Sequence, residues 1–83
     1  MYYVYFLKQN NDQIYTGSTS NLKRRLIEHE QRKVTSTKNR LPITLVGYEG
    51  YVEKSDALRR EKFLKTTEGK RLFRQQYRDI LNS

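Results

Sequence analysis

Eighty-three residues make room for one domain with a modest core, and the absence of cysteine excludes a disulfide framework and a thiolate zinc site. No apolar run reaches the length of a membrane span, and the apolar part of MYYVYFLKQNN is too short for a secretion signal, so the expected compartment is the cytoplasm, with no membrane partner. Lys and Arg number 17 against 9 Asp and Glu; a formal charge of +8 on so short a chain points to a polyanion, and seven tyrosines and three phenylalanines tilt that toward nucleic acid.

Tyr2 to Leu7 is aromatic and β-branched and reads as a strand. The cluster Gln9-Asn10-Asn11-Asp12 is a turn, and Gln13 to Gly17 is the returning strand of a hairpin. Thr19 or Ser20 is placed to cap a helix over Asn21 to Glu30, with Leu22 and Leu26 marking its core direction. Lys33 to Arg40 is polar and basic and reads as a loop, with the stretch from Val34 to Leu41 expected to order on nucleic acid. Pro42 opens a strand from Ile43 to Val52, with Gly47 as a bend or bulge. Ser55 or Asp56 starts a second helix, Ala57 to about Lys65. Thr66-Thr67 caps a third, Gly69 to about Leu81, whose inner face is Leu72, Phe73, Gln76, Tyr77 and Ile80. The order β-β-α-β-α-α describes an α+β domain spanning residues 1–83, with a small three-stranded antiparallel or mixed sheet flanked by helices.

Chemistry-bearing residues fall at particular places on these elements. At 100° per residue, Arg25 and His29 share one edge of the first helix's apolar stripe, while Arg24 points to solvent. Each has an ordinary explanation too: an arginine snorkelling at the core edge, a half-buried histidine. On the second helix, Ala57, Leu58 and Leu64 define an apolar arc, and Glu61 falls inside it. A carboxylate there needs an ion pair, with Arg60, Lys65 or a strand residue, or it serves as a metal ligand or catalytic group. Tyr3 and Tyr5 share one strand face, and Tyr15 precedes Gly17 by two residues. Core packing explains a strand tyrosine as well as chemistry does.

Taken together, Tyr3-Val4-Tyr5, Tyr15-Thr16-Gly17, NLKRRLIEH and LRREKFLKTTEGKRLF resemble the ordered motifs of the GIY-YIG nuclease domain, in its small stand-alone bacterial form. Tyr3 replaces the first glycine of the family's first motif and Thr16 the isoleucine of its second; Ser18 stands where some relatives carry a lysine. The resemblance implies a metal-dependent DNA endonuclease with one divalent ion, Mg²⁺ or Mn²⁺, held by Glu61. It also implies a phosphate clamp at Arg25 and a water-activating tyrosine, Tyr5 or Tyr15. That tyrosine needs its pKa brought down from about 10, and His29 accepts its proton or holds Tyr5 in place. All five residues are expected in one cleft on one side of the sheet, with Tyr3 and Gly17 as motif and turn positions.

Phosphate contacts are expected from Lys33, Lys38, Arg40, Arg59, Arg60, Lys70 and Arg71, each of which is otherwise simple solvated charge. The charge serves DNA and RNA alike, and a chain this small leaves room for a protein partner that targets it. The resemblance implies a place in DNA repair or recombination, or else a role on mobile elements. The other reading is a module that keeps the fold, binds nucleic acid and cuts nothing. No zinc finger or sequence-reading helix stands out.

Overall fold

The strand Tyr2–Lys8 (β1) is central because it is apolar on both faces: Val4, Tyr5, Phe6 and Leu7 are all fully buried. In the computed structural model, which describes residues 1–83, β1 pairs antiparallel with Ile14–Thr19 (β2) on one side and Thr44–Tyr51 (β3) on the other. The sheet order β2-β1-β3 leaves β2 and β3 as edges. The helices are Leu22–Glu30 (α1), Lys54–Leu64 (α2), Thr67–Gln76 (α3) and the single turn Arg78–Leu81 (α4). This is the expected α+β arrangement with a wholly antiparallel sheet.

Strand alternation splits β1 between two layers. Val4 and Phe6 face α2 and α3 and form the core with Ala57, Leu64 and Phe73. The Phe6 ring meets Phe73 at 4.7 Å and Tyr77 at 5.2 Å between centroids, and Phe73 and Tyr77 stack at 4.6 Å. Tyr3, Tyr5 and Leu7 face the other way, where Tyr5 meets His29 of α1. The β1–β3 register slips between Phe6 and Leu7, so Val46 is the extra residue and Gly47 lies opposite Phe6. The expected irregularity is therefore a bulge beside Gly47. A Cβ on Gly47 would meet the Tyr77 ring at 3.0 Å, so its absence lets that ring lie over the strand.

Several local expectations are corrected. Asn21 caps α1, its side chain accepting from the Arg24 N–H, while Thr19 accepts from the Asn21 N–H instead. Helix α2 begins at Lys54, so Asp56 sits in its first turn rather than at its cap, and Ser55 lies inside the helix. Thr66 caps α3 by accepting from the Gly69 N–H, as expected, but the helix breaks at Tyr77, which turns inward to its partners. Leu58, Ile80 and Gln76 are exposed rather than inward. The segment expected to wait for nucleic acid is already folded. Val34 and Thr37 are buried, and Lys38, Arg40 and Thr37 close backbone hydrogen bonds within it. Two buried side chains give this polar run an anchor that its composition hides.

Candidate active site

Gly17 stands directly opposite Tyr5 in the β1–β2 register. A Cβ there would lie 2.6 Å from the Tyr5 hydroxyl oxygen and 2.9 Å from Cε2 of Tyr15. The glycine is required by this close approach, not by backbone conformation: it lets two tyrosine rings, 6.2 Å apart between centroids, close over an edge strand. His29 meets both rings edge-on, at 5.6 Å from Tyr5 and 5.2 Å from Tyr15. Its Nε2 lies 2.8 Å from the Tyr5 hydroxyl and its Nδ1 lies 2.6 Å from the Thr37 hydroxyl. Tyr5, His29 and Thr37 are all closed off from solvent, whereas Tyr15 is half-buried.

Arg25, one turn before His29, pairs with Glu28 at 3.1 Å and stands near Tyr5. Contact with Tyr5 is the main reason its pKa is raised. Burial lowers the His29 pKa, and the Arg25 charge lowers it further, so the imidazole is neutral near pH 7. Burial pushes Tyr5 up to about 12, against the opposing pull of Arg25. The expected depression of a tyrosine pKa is reversed at Tyr5, because full burial outweighs the nearby cation. Arg24 is exposed, as its helical position requires.

Glu61 comes from the opposite layer. Its α2 helix packs on the Val4 face, and it meets the sheet at Ser18, whose register partner is Val4. The Ser18 hydroxyl donates to Oε1 at 2.7 Å, and Lys65 Nζ donates to Oε2 at 2.9 Å. The one-sided cleft is thus corrected: Tyr5, Tyr15, Arg25 and His29 gather on one face of β2, and Glu61 approaches it from the other. β2 is an edge of the sheet, with one side free. A groove of about 560 Å³ lies beside it, with Tyr15 on one wall and Lys65 on another. Arg40, Lys70 and Arg74 also line it, and no carboxylate does.

No group of three or more His, Cys, Asp or Glu side chains gathers to enclose a metal ion. What is present is one largely buried carboxylate beside a hydroxyl, an oxygen-donor set. That suits a Mg²⁺-like ion, which keeps several waters and is completed by substrate phosphate. The basic candidates separate clearly. Arg60 is bound to Glu49 at 2.9 Å, a carboxylate that also accepts from the Tyr51 and Tyr77 hydroxyls. Arg59 pairs with Asp56 and Arg71 with Glu68 on exposed helix faces. Lys33 and Lys38 are exposed on the segment after α1, while Arg40 and Lys70 sit in the groove. Sequence reasoning misses Thr37, Arg74 and the role of Ser18 as partner to Glu61, and it offers Lys65 only as one ion-pair option among several.

A family model described as the GIY-YIG catalytic domain matches residues 1–77. A UPF0213 protein of Staphylococcus haemolyticus is 41% identical over 66 residues, which cover 78% of this chain and 80% of that one. A UPF0213 protein of Natronomonas pharaonis is 38% identical over 66 residues, covering 78% of each. The solution NMR structure of a UPF0213 protein from Bacillus halodurans superposes with a TM-score of 0.59 at 30% identity, covering 92% of this chain and 85% of that one. With its two tyrosine motifs folded over one glycine and its arginine helix beside them, the chain belongs to the GIY-YIG catalytic-domain family.

Proposed function

We propose that this protein is an endonuclease that hydrolyses phosphodiester bonds in DNA, with Tyr15, Arg25 and Glu61 as its catalytic residues and Tyr5 and His29 holding them in place. The observation that carries the proposal is the convergence on β2: a tyrosine–arginine–histidine set on one face, a half-buried carboxylate on the other, and a cationic groove beside the strand that Tyr15 lines. Phosphodiesters resist water because the phosphate is anionic and water is a weak nucleophile. A site that cuts them must orient water, neutralise the non-bridging oxygens and stabilise the leaving oxygen.

Tyr15 is the tyrosine that lines the groove, so it orients the attacking water by accepting a hydrogen bond from it. Tyr5, sealed from solvent and with a raised pKa, keeps its proton and braces Tyr15. Arg25 offers a forked cation to the non-bridging oxygens. Glu61 and Ser18 would hold one divalent ion, Mg²⁺ or Mn²⁺, which when bound polarises the phosphate and stabilises the leaving oxygen. Arg40, Lys65, Lys70 and Arg74 receive neighbouring phosphates along the groove, and Lys33 and Lys38 extend this surface.

Two adjacent arginines test the reading. With labelled duplex, flap, branched and single-stranded DNA and Mg²⁺ or Mn²⁺, Arg25→Ala abolishes cleavage and Arg24→Ala leaves it near wild type. Equal loss in both variants refutes a clamp at Arg25. Salt-sensitive binding by the wild type with no cleavage of any substrate replaces the enzyme with a binding module.

A further inference from the structure

Glu61 is engaged at both of its oxygens. Ser18 donates to Oε1 at 2.7 Å, and Lys65, one helical turn further on, donates to Oε2 at 2.9 Å. The two members of this ion pair differ in freedom. The Glu61 side chain is 19% exposed and bonded to the sheet at Ser18, whereas that of Lys65 is 57% exposed. No other cation pairs with the carboxylate, since the neighbouring Arg60 is held by Glu49. A half-buried carboxylate needs such a counter-ion. That it is a lysine has a consequence. An arginine grips a carboxylate with a rigid fork, but an ammonium is a single charge on a flexible four-carbon stem. An ion pair with one exposed partner is weak and readily exchanged.

Lys65 also lines the basic groove beside Arg40, Lys70 and Arg74, where no carboxylate stands. Its ammonium therefore has two partners within reach, Glu61 and a phosphate in the groove. We infer that Lys65 is an exchangeable counter-ion, one that competes with a divalent ion for Glu61 and passes to a substrate phosphate when the ion binds. The competition is Coulombic. Whichever oxygen an ion took, it would share the carboxylate with an ammonium, and like charges at that range repel. By reciprocity, a phosphate that draws Lys65 away leaves Glu61 a better ligand, so backbone in the groove and an ion on Glu61 favour each other. The inference rests on the proposed reaction for its ion and its substrate; the contest over Glu61 itself is a property of the protein without DNA.

Mn²⁺ broadens the NMR signals of amides close to where it binds, and the same spectra report the fold of each variant. At low salt, where the ion pair is least screened, Mn²⁺ is expected to broaden the amides around Glu61 and Ser18 in the wild type and to lose this effect in Glu61→Gln. The midpoint falls about two- to fivefold in Lys65→Met, the worth of one exposed ion pair. It stays near wild type in Lys65→Arg, which keeps the charge. Lys70→Met removes the same charge from the groove without touching Glu61, and it changes the midpoint little. In cleavage assays Lys65→Met reaches its half-maximal rate at lower Mg²⁺ and has a raised KM for DNA. A wild-type midpoint in Lys65→Met overturns the inference. So does a Lys70→Met shift equal to that of Lys65→Met, because net charge and not the contact then acts. Both results leave the proposed reaction standing. Broadening that survives Glu61→Gln places the ion elsewhere and removes the proposed metal site together with this inference.

Discussion

Replacing Gly17 with alanine strikes the point where both tyrosines converge. The new Cβ would stand 2.6 Å from the Tyr5 oxygen, against the 3.4 Å at which ordinary contact begins, so something must move by about 0.8 Å. The Tyr5 ring cannot absorb this freely. Its hydroxyl is held 2.8 Å from His29, and a shift of about 0.8 Å stretches that bond beyond hydrogen-bonding range or drives the atoms into overlap. Overpacking of this kind costs about 1–3 kcal/mol, which for a chain of this length lowers Tm by roughly 5–20 °C. A misplacement approaching 1 Å at the reacting groups costs on the order of 100-fold in rate. Thermal melts and single-turnover cleavage measure the two effects separately. Gly50→Ala is the control, since a Cβ there meets nothing closer than 3.7 Å. A Gly17→Ala protein with the stability and rate of wild type would refute the reasoning that this glycine exists to admit the tyrosines.

Other consequences are simpler. Removing Lys70 and Arg74 together lowers the slope of log affinity against log salt by roughly 1.4–1.8 in DNA binding, at about 0.7–0.9 for each phosphate no longer neutralised. The pair Arg59→Ala with Arg71→Ala, whose cations already face Asp56 and Glu68, changes it little. Burial alone would raise the Glu49 pKa, but donation from Arg60, Tyr51 and Tyr77 brings it below its ordinary 4.5. A depressed carboxylate contributes stability above its unfolded-state pKa and loses it as pH falls through the folded value. Denaturant titrations from pH 7 down to about 3 therefore show a smaller acid-induced loss in Glu49→Gln than in wild type.

How much of the molecule is legible in its sequence depends on how local each feature is. The run YYVYFL makes β1 a strand whatever surrounds it, because its residues suit a strand buried on both faces. Arg25, rather than Arg24, follows from helical geometry alone, and the buried His29 lies where the same geometry puts it. Glu61 does turn inward, but no periodicity says which side of the sheet α2 will cover, and that choice puts it across β2 from the tyrosines. Thr37 leaves no trace: KVTSTKNR has no period, and its threonine matters only because tertiary folding brings it to His29. Leu58 and Ile80 fit apolar arcs on paper yet lie exposed, since a helix in so small a core buries a narrower stripe than its sequence offers. At Tyr5 a neighbouring cation suggests activation, and burial, which sequence does not reveal, decides the sign instead.

The most direct measurement sets wild type beside Glu61→Gln on labelled DNA with Mg²⁺ or Mn²⁺, and repeats the wild type in EDTA. The account predicts cleavage by the wild type that disappears in Glu61→Gln and in chelator, with both proteins binding DNA alike at low salt. Equal cleavage by the two proteins, or cleavage that survives EDTA, would contradict it.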